Sequence, residues 1–200
     1  MRHFRTCQNI DIAMTLIHRP TILITLICLL TSYAYGQNSH DNLQWSATYK
    51  LTLDDFSIKT RSNETTSSFA QFSVDYEVGG FDFLTKNFNK KVHNYMIKTA
   101  SWIDTTTNIN QSLLYQQTLF DICEIYTRQF RKELRENRKK IANGTEIAKE
   151  LNNKIMTDFS IRRIEYDHET KYGTDLTKQK EWENQIQKEL IELKDFSYEN

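Results

Sequence analysis

The chain has 200 residues, enough for one domain with its own hydrophobic core, and its 26 Lys/Arg balance 26 Asp/Glu. That neutrality gives no global attraction to nucleic acid or to an anionic membrane. Three cysteines (Cys7, Cys28, Cys123) exclude a disulfide-built scaffold, and no glycine-rich phosphate loop, Ser/His/Asp arrangement or cysteine-based zinc knuckle is present.

Residues 1–36 read as a secretory signal. Arg2, Arg5 and Arg19 precede an apolar run, Ile22–Leu30, and the small residues Ala34 and Gly36 stand before Gln37. The run is short for a bilayer span. An uncleaved membrane anchor is the rival reading, and initiation at Met14 would shorten the leader. Ile27 before Cys28 does not suit a lipoprotein site. Without residues 1–36 the chain keeps 23 basic and 25 acidic residues, and Cys123 is its only cysteine. That thiol lies on an apolar helix stripe, where an inert buried role is expected. The expected product is exported, periplasmic or secreted, and not an integral membrane protein once cleaved.

Residues 37–44 are polar and are expected to form a flexible tail, with a single domain over 45–196. Phe72, Val74, Tyr76 and Val78 alternate with polar residues, the period of a half-buried strand. Gly79-Gly80 suits a tight turn, after which Phe81 and Phe83 resume the alternation. Arg61–Ser68 reads as a loop, and Val92–Ile103 as another strand. After Asn110 the period becomes 3.6. Leu119, Cys123, Tyr126, Phe130 and Leu134 predict one long helix from about Gln111 to Ala142, ended by Asn143-Gly144. Leu151, Ile155 and Phe159 predict a second helix, 146–164. Trp182, Ile186, Leu190 and Leu193 predict a third, 176–194, with Asp175 as N-cap. The fold class is α+β: a small antiparallel sheet in the N-terminal half packed on a helical C-terminal half with one long central helix.

Three stretches carry a resemblance. Leu51-Thr52-Leu53-Asp54-Asp55-Phe56 is similar to LTWxDF, with Leu53 in place of the tryptophan. Leu113–Arg128 is similar to a helix pattern in which leucines lead into HEQxHFDIxExxAR, keeping Leu113, Leu114, Gln117, Phe120, Asp121, Ile122, Glu124 and Arg128. Tyr166-Asp167, Thr170, Gly173, Gln179 and Trp182 match YDxxTxHGx5QxxW in order and spacing. Together they resemble the DUF922 family, bacterial exported proteins predicted to be zinc-dependent proteases, over roughly Trp45 to Leu190. The resemblance implies a zincin-like domain. In active relatives it implies zinc held by two helical histidines one turn apart, with a glutamate as general base.

At those positions this chain departs. The helical histidines fall on Tyr115 and Leu119, the glutamate on Gln116, and the histidine before the glycine on Tyr172. Leu119 has no lone pair, and Gln116 cannot act as a base near neutral pH. The phenols of Tyr115 and Tyr172, with pKa about 10, must lose a proton before binding zinc well. These four are read as vestigial positions, so no catalytic residue, metal ligand or cofactor is expected. Asp121 and Glu124 remain as possible residual polar groups, Glu124 also being an ordinary i+4 partner for Arg128.

The resulting expectation is a catalytically inactive relative of a zinc-protease family, a pseudoenzyme serving as a binding or structural protein of the cell envelope. Its partner is not named by the sequence; another envelope protein is the candidate. The alternative is a zinc-dependent peptidase with a rearranged site using Glu124, Asp121 or His168. His40, His93 and His168 show no ligand spacing, and Asp167-His168-Glu169 reads as a solvated loop. A third reading places partner binding on the basic run Arg128–Lys140, which otherwise reads as the solvated face of its helix.

Overall fold

The computed structural model describes residues 41–59, 66–78, 88–142 and 144–199. The expected leader and the turn expected at Gly79-Gly80, with Phe81 and Phe83, lie outside these residues. Within them the fold is α+β, as the change of period predicts. Strands β1 (Asn42–Gln44), β2 (Ser68–Tyr76) and β3 (Val92–Ile103) form an antiparallel sheet in the order β1-β3-β2. Helices α1 (Ile109–Glu136), α2 (Arg138–Ile141), α3 (Glu146–Glu169) and α4 (Leu176–Glu192) follow, then a 3-10 turn, Lys194–Phe196.

Strand β3 covers the Val92–Ile103 range expected to hold a strand, burying Val92, Asn94 and Met96 on one face. Its ladder with β2 is interrupted between Phe69 and Gln71. Ser101 patches the gap, its hydroxyl donating to the Ile97 carbonyl at 2.6 Å and accepting from the Gln71 amide at 3.0 Å. The polar run expected as a tail instead ends in β1. An edge strand is held by backbone hydrogen bonds, which require no apolar side chain, and the Trp45 amide continues the ladder by donating to the Asn94 carbonyl.

Among the described residues helix α1 is the central element, packing against β2 and β3 of the sheet and against α3 and α4. It starts two residues before the predicted position because Asn108 caps it, accepting from the Gln111 amide at 3.2 Å. The predicted run to Ala142 breaks at Asn137, whose side-chain amide donates to the Glu133 carbonyl at 2.9 Å, a local bond that competes with the helix ladder. Helix α3 runs to Glu169, past the predicted 164, because Tyr166 continues the inward face of Phe159 seven residues later. Asp175 caps α4 as expected, and Trp182, Ile186 and Leu190 are its buried face. One apolar cluster joins Phe72 and Met96 of the sheet to Leu119, Phe120 and Cys123 of α1 and to Tyr166 and Trp182. Burial pushes the Cys123 thiol pKa well up, which suits an inert thiol. Among the described residues no helix is long and apolar enough to cross a membrane.

Candidate functional site

Two of the four departure positions, Tyr115 and Tyr172, sit where α1 meets the end of α3 and the turn that follows. Helix α3 stops at Thr170, whose hydroxyl donates to the Tyr166 carbonyl at 2.6 Å and accepts from the Gly173 amide at 3.1 Å. Between them Lys171 (φ 49°) and Tyr172 (φ 56°) are left-handed, followed by Gly173 (φ 81°). Two consecutive non-glycine residues there cost on the order of 1–2 kcal/mol each. The turn is held by the Tyr172 amide donating to the Asp167 carbonyl at 2.8 Å and by Gln111 Nε2 donating to the Gly173 carbonyl at 2.7 Å. Gly173 is required for a second reason: a Cβ on it would lie 2.6 Å from Tyr115 Cβ.

Tyr115 therefore lies directly beneath this turn. Its ring stacks on Tyr166, centroids 5.2 Å apart and planes 10° apart, and its hydroxyl donates to Asp167 Oδ1. Burial, with the Asp167 carboxylate beside it, pushes the Tyr115 phenol pKa far up, so its phenolate is out of reach at neutral pH. Burial likewise raises the Asp167 carboxyl, against the Tyr115 bond that lowers it. Tyr166 donates to Gln179 Oε1 at 2.6 Å, and Gln179 Nε2 donates to Thr118 Oγ1 at 3.0 Å. The residues that match the family pattern, Tyr166, Thr170, Gly173, Gln179 and Trp182, thus form the packing that supports the turn.

The other two helical positions face elsewhere. Leu119 is 0% exposed, one turn deeper within the apolar cluster. Gln116 points at the sheet, its Nε2 donating to Ser68 Oγ at 3.0 Å, while its Oε1 is buried without a hydrogen-bond partner. Tyr172 faces outward, 52% exposed. The structure brings Tyr115 and the Tyr172 turn together on Asp167 and leaves Gln116 and Leu119 out of that group.

Asp121 and Glu124 are buried and occupied. Asp121 accepts from Trp45 Nε1 at 2.8 Å, Gln117 Nε2 at 2.9 Å and Gln187 Nε2 at 3.3 Å, and burial raises its pKa. Glu124 Oε1 accepts from Arg128 Nε at 3.0 Å and Arg131 at 2.9 Å, while Oε2 accepts from Asn94 Nδ2 at 3.3 Å. The expected Glu124–Arg128 pair is present, with a second arginine that its spacing did not suggest. This corrects the reading of Arg128–Lys140 as one solvated face. Arg128 and Arg131 are buried, because a buried carboxylate and the carbonyls of Leu190, Val92 and Phe196 together satisfy their donors. Lys132, Arg138, Lys139 and Lys140 are exposed.

A zinc ion does not fit these residues. Among the described residues no three His, Cys, Asp or Glu side chains come together as a metal set. Where the resemblance implies three ligands and a base, the chain places a hydrocarbon, an amide bonded to Ser68, a phenol committed to Asp167 and a phenol turned outward. His168 is exposed at the end of α3 and shares no hydrogen bond with Asp121 or Glu124 among the described residues.

What the turn does form is a groove of about 470 Å³, lined by Ile164, Asp167, His168, Lys171 and Tyr172. Its Ile164 wall carries no signal at sequence level, since that residue belongs to no apolar stripe. A larger groove of about 570 Å³ runs between α3 and α4 beside Ile161 and Trp182, and none of the departure positions lines it. No family model, no curated protein and no solved structure matches this chain.

Proposed function

We propose that this chain is an exported, non-catalytic relative of the zinc-dependent proteases it resembles, kept as a binding or structural protein of the cell envelope, with another envelope protein as its partner. The observation that carries the reading is Leu119. It is fully enclosed by the core at a place where a hydrolase of that kind needs an imidazole open to a metal and a water. Burying it stabilises the fold by roughly 1.5–3 kcal/mol, so the position serves packing. Gln116 and Tyr115 support the same reading, because Gln116 Nε2 donates to Ser68 Oγ and the Tyr115 hydroxyl donates to Asp167 inside the domain. The alternative, a rearranged zinc peptidase, gains no support from Asp121 and Glu124, whose oxygens already accept from Trp45, Gln117, Gln187, Asn94 and two arginines.

The test is the metal content of protein purified without chelator, beside a peptidase assay on mixed peptide substrates. Well below one zinc per chain and no cleavage is the expected result. One tightly held zinc per chain, whose removal abolishes cleavage and whose return restores it, would overturn the proposal.

A further inference from the structure

We propose that the groove beside the 170–173 turn binds a primary ammonium group attached to an apolar side chain, as a peptide amino terminus presents. Asp167 takes the cation, and Ile164 and Tyr172 flank the side chain. The inference names a ligand class for the non-catalytic reading above and rests on it.

Three features of the groove support it. The first is its shape. Two successive left-handed residues are a strained way to end a helix, and the strain is held by Thr170, Gln111 and Tyr115 rather than relieved. The turn leaves Tyr172 52% exposed, and it lines one groove together with Ile164, itself 68% exposed. Two large apolar side chains bordering one groove are unusual on a surface where isolated exposed apolar residues need no explanation.

The second feature is the carboxylate. Asp167 Oδ1 accepts from Tyr115, but Oδ2 has no hydrogen-bond donor among the described residues. Its nearest cation, Arg163 Nε, lies 3.9 Å away, too far for a hydrogen bond, and the Arg163 guanidinium is spread over the Phe69 ring at 5.1 Å. A carboxylate accepts several donors, so this one, lining the groove beside Ile164 and Tyr172, keeps capacity for an ammonium group. Burial already disfavours its charged form, and an ammonium ligand would remove that penalty.

The third feature is the rim. Lys171 and His168 border the groove and offer donors suited to the carbonyl that follows an amino-terminal residue. They also make a free anion the rival occupant.

Isothermal titration of zinc-free protein with leucyl-glycyl-glycine amide tests this, with its N-acetyl form and with N-acetyl-leucine as the anion. The free amine should bind saturably at one site, and acetylation should weaken it by about tenfold or more, the worth of a charge-assisted hydrogen bond. Asp167→Asn should weaken the free amine by a similar factor. Ile164→Ser, an exposed change that leaves the carboxylate in place, should also weaken it, while Glu165→Gln in the neighbouring groove should not. Equal binding of the acetylated peptide, tighter binding of the anion, no binding of any of the three, or full binding by folded Ile164→Ser would each overturn the inference. A protein that binds nothing yet is zinc-free and inactive leaves the non-catalytic reading standing. A protein that cleaves the peptide through bound zinc overturns that reading instead.

Discussion

A methyl group added at position 173 would have to displace the Tyr115 side chain on which the turn rests, and would sit on a backbone angle that L residues avoid. Gly173→Ala is therefore expected to lower stability by roughly 2 kcal/mol or more, read as a shift in urea midpoint at unchanged slope. Asp121 makes a different kind of prediction. Its pKa is raised, burial outweighing the bonds from Trp45 and Gln117. A carboxyl raised in the folded state contributes its full stability below its ordinary value of 3.8, and loses it as pH climbs toward the folded value. An asparagine there does not titrate. The stability deficit of Asp121→Asn relative to the parent should thus be largest near about pH 3 and smaller near about pH 7, by denaturant titration at both. A deficit that grows with pH would show that the donors around Asp121, and not its burial, govern the charge. The sequence revealed Asp121 and Glu124 as polar residues on the long helix, and Arg128 as a partner of Glu124, but not their distant partners, since Trp45 and Asn94 lie far away in the chain.

Between elements, the apolar period was the reliable guide and backbone-held structure the blind spot. Strand β2 around Phe72–Tyr76 and the buried face of α4 were legible because alternate residues, or every fourth, meet the same core. Strand β1 was not, because Asn42–Gln44 is a three-residue edge strand joined mainly through main-chain pairing, with Leu43 as its one apolar residue against the core. The end of α3 was hidden because Ile161 and Ile164 point away from the core, so the stripe seems to stop while Tyr166 continues it. The buried arginines were illegible for a related reason. Within a basic run, a cation at i+4 or i+7 from an acid looks the same whether water or carbonyls surround it. Glu124 is what joins these elements, holding Arg128 and Arg131 of α1 against β3 and the end of α4. Glu124→Gln leaves two guanidinium groups buried without a countercharge, and is expected to cost about 3–5 kcal/mol in chemical denaturation. A loss within about 0.5 kcal/mol, the range of ordinary surface changes, would mean that the carbonyls alone suffice.

At the scale of the whole molecule, a balanced charge and two apolar clusters strung along the central helix describe a domain whose candidate groove lies near one end of that helix. The fold class followed from the order of periods, strands first and helices after. The candidate groove did not, because it arises from three backbone angles after Thr170 and from an isoleucine outside any stripe. The guanidinium of Arg131 reaches the carbonyls of Val92 and Phe196, and that of Arg128 reaches Leu190. Without residues 190–196, Arg128 and Arg131 would keep Glu124, and Arg131 also Val92, but each would lose a carbonyl acceptor. That segment is therefore part of what lets two permanently charged side chains leave water, and the interior is complete only with it in place.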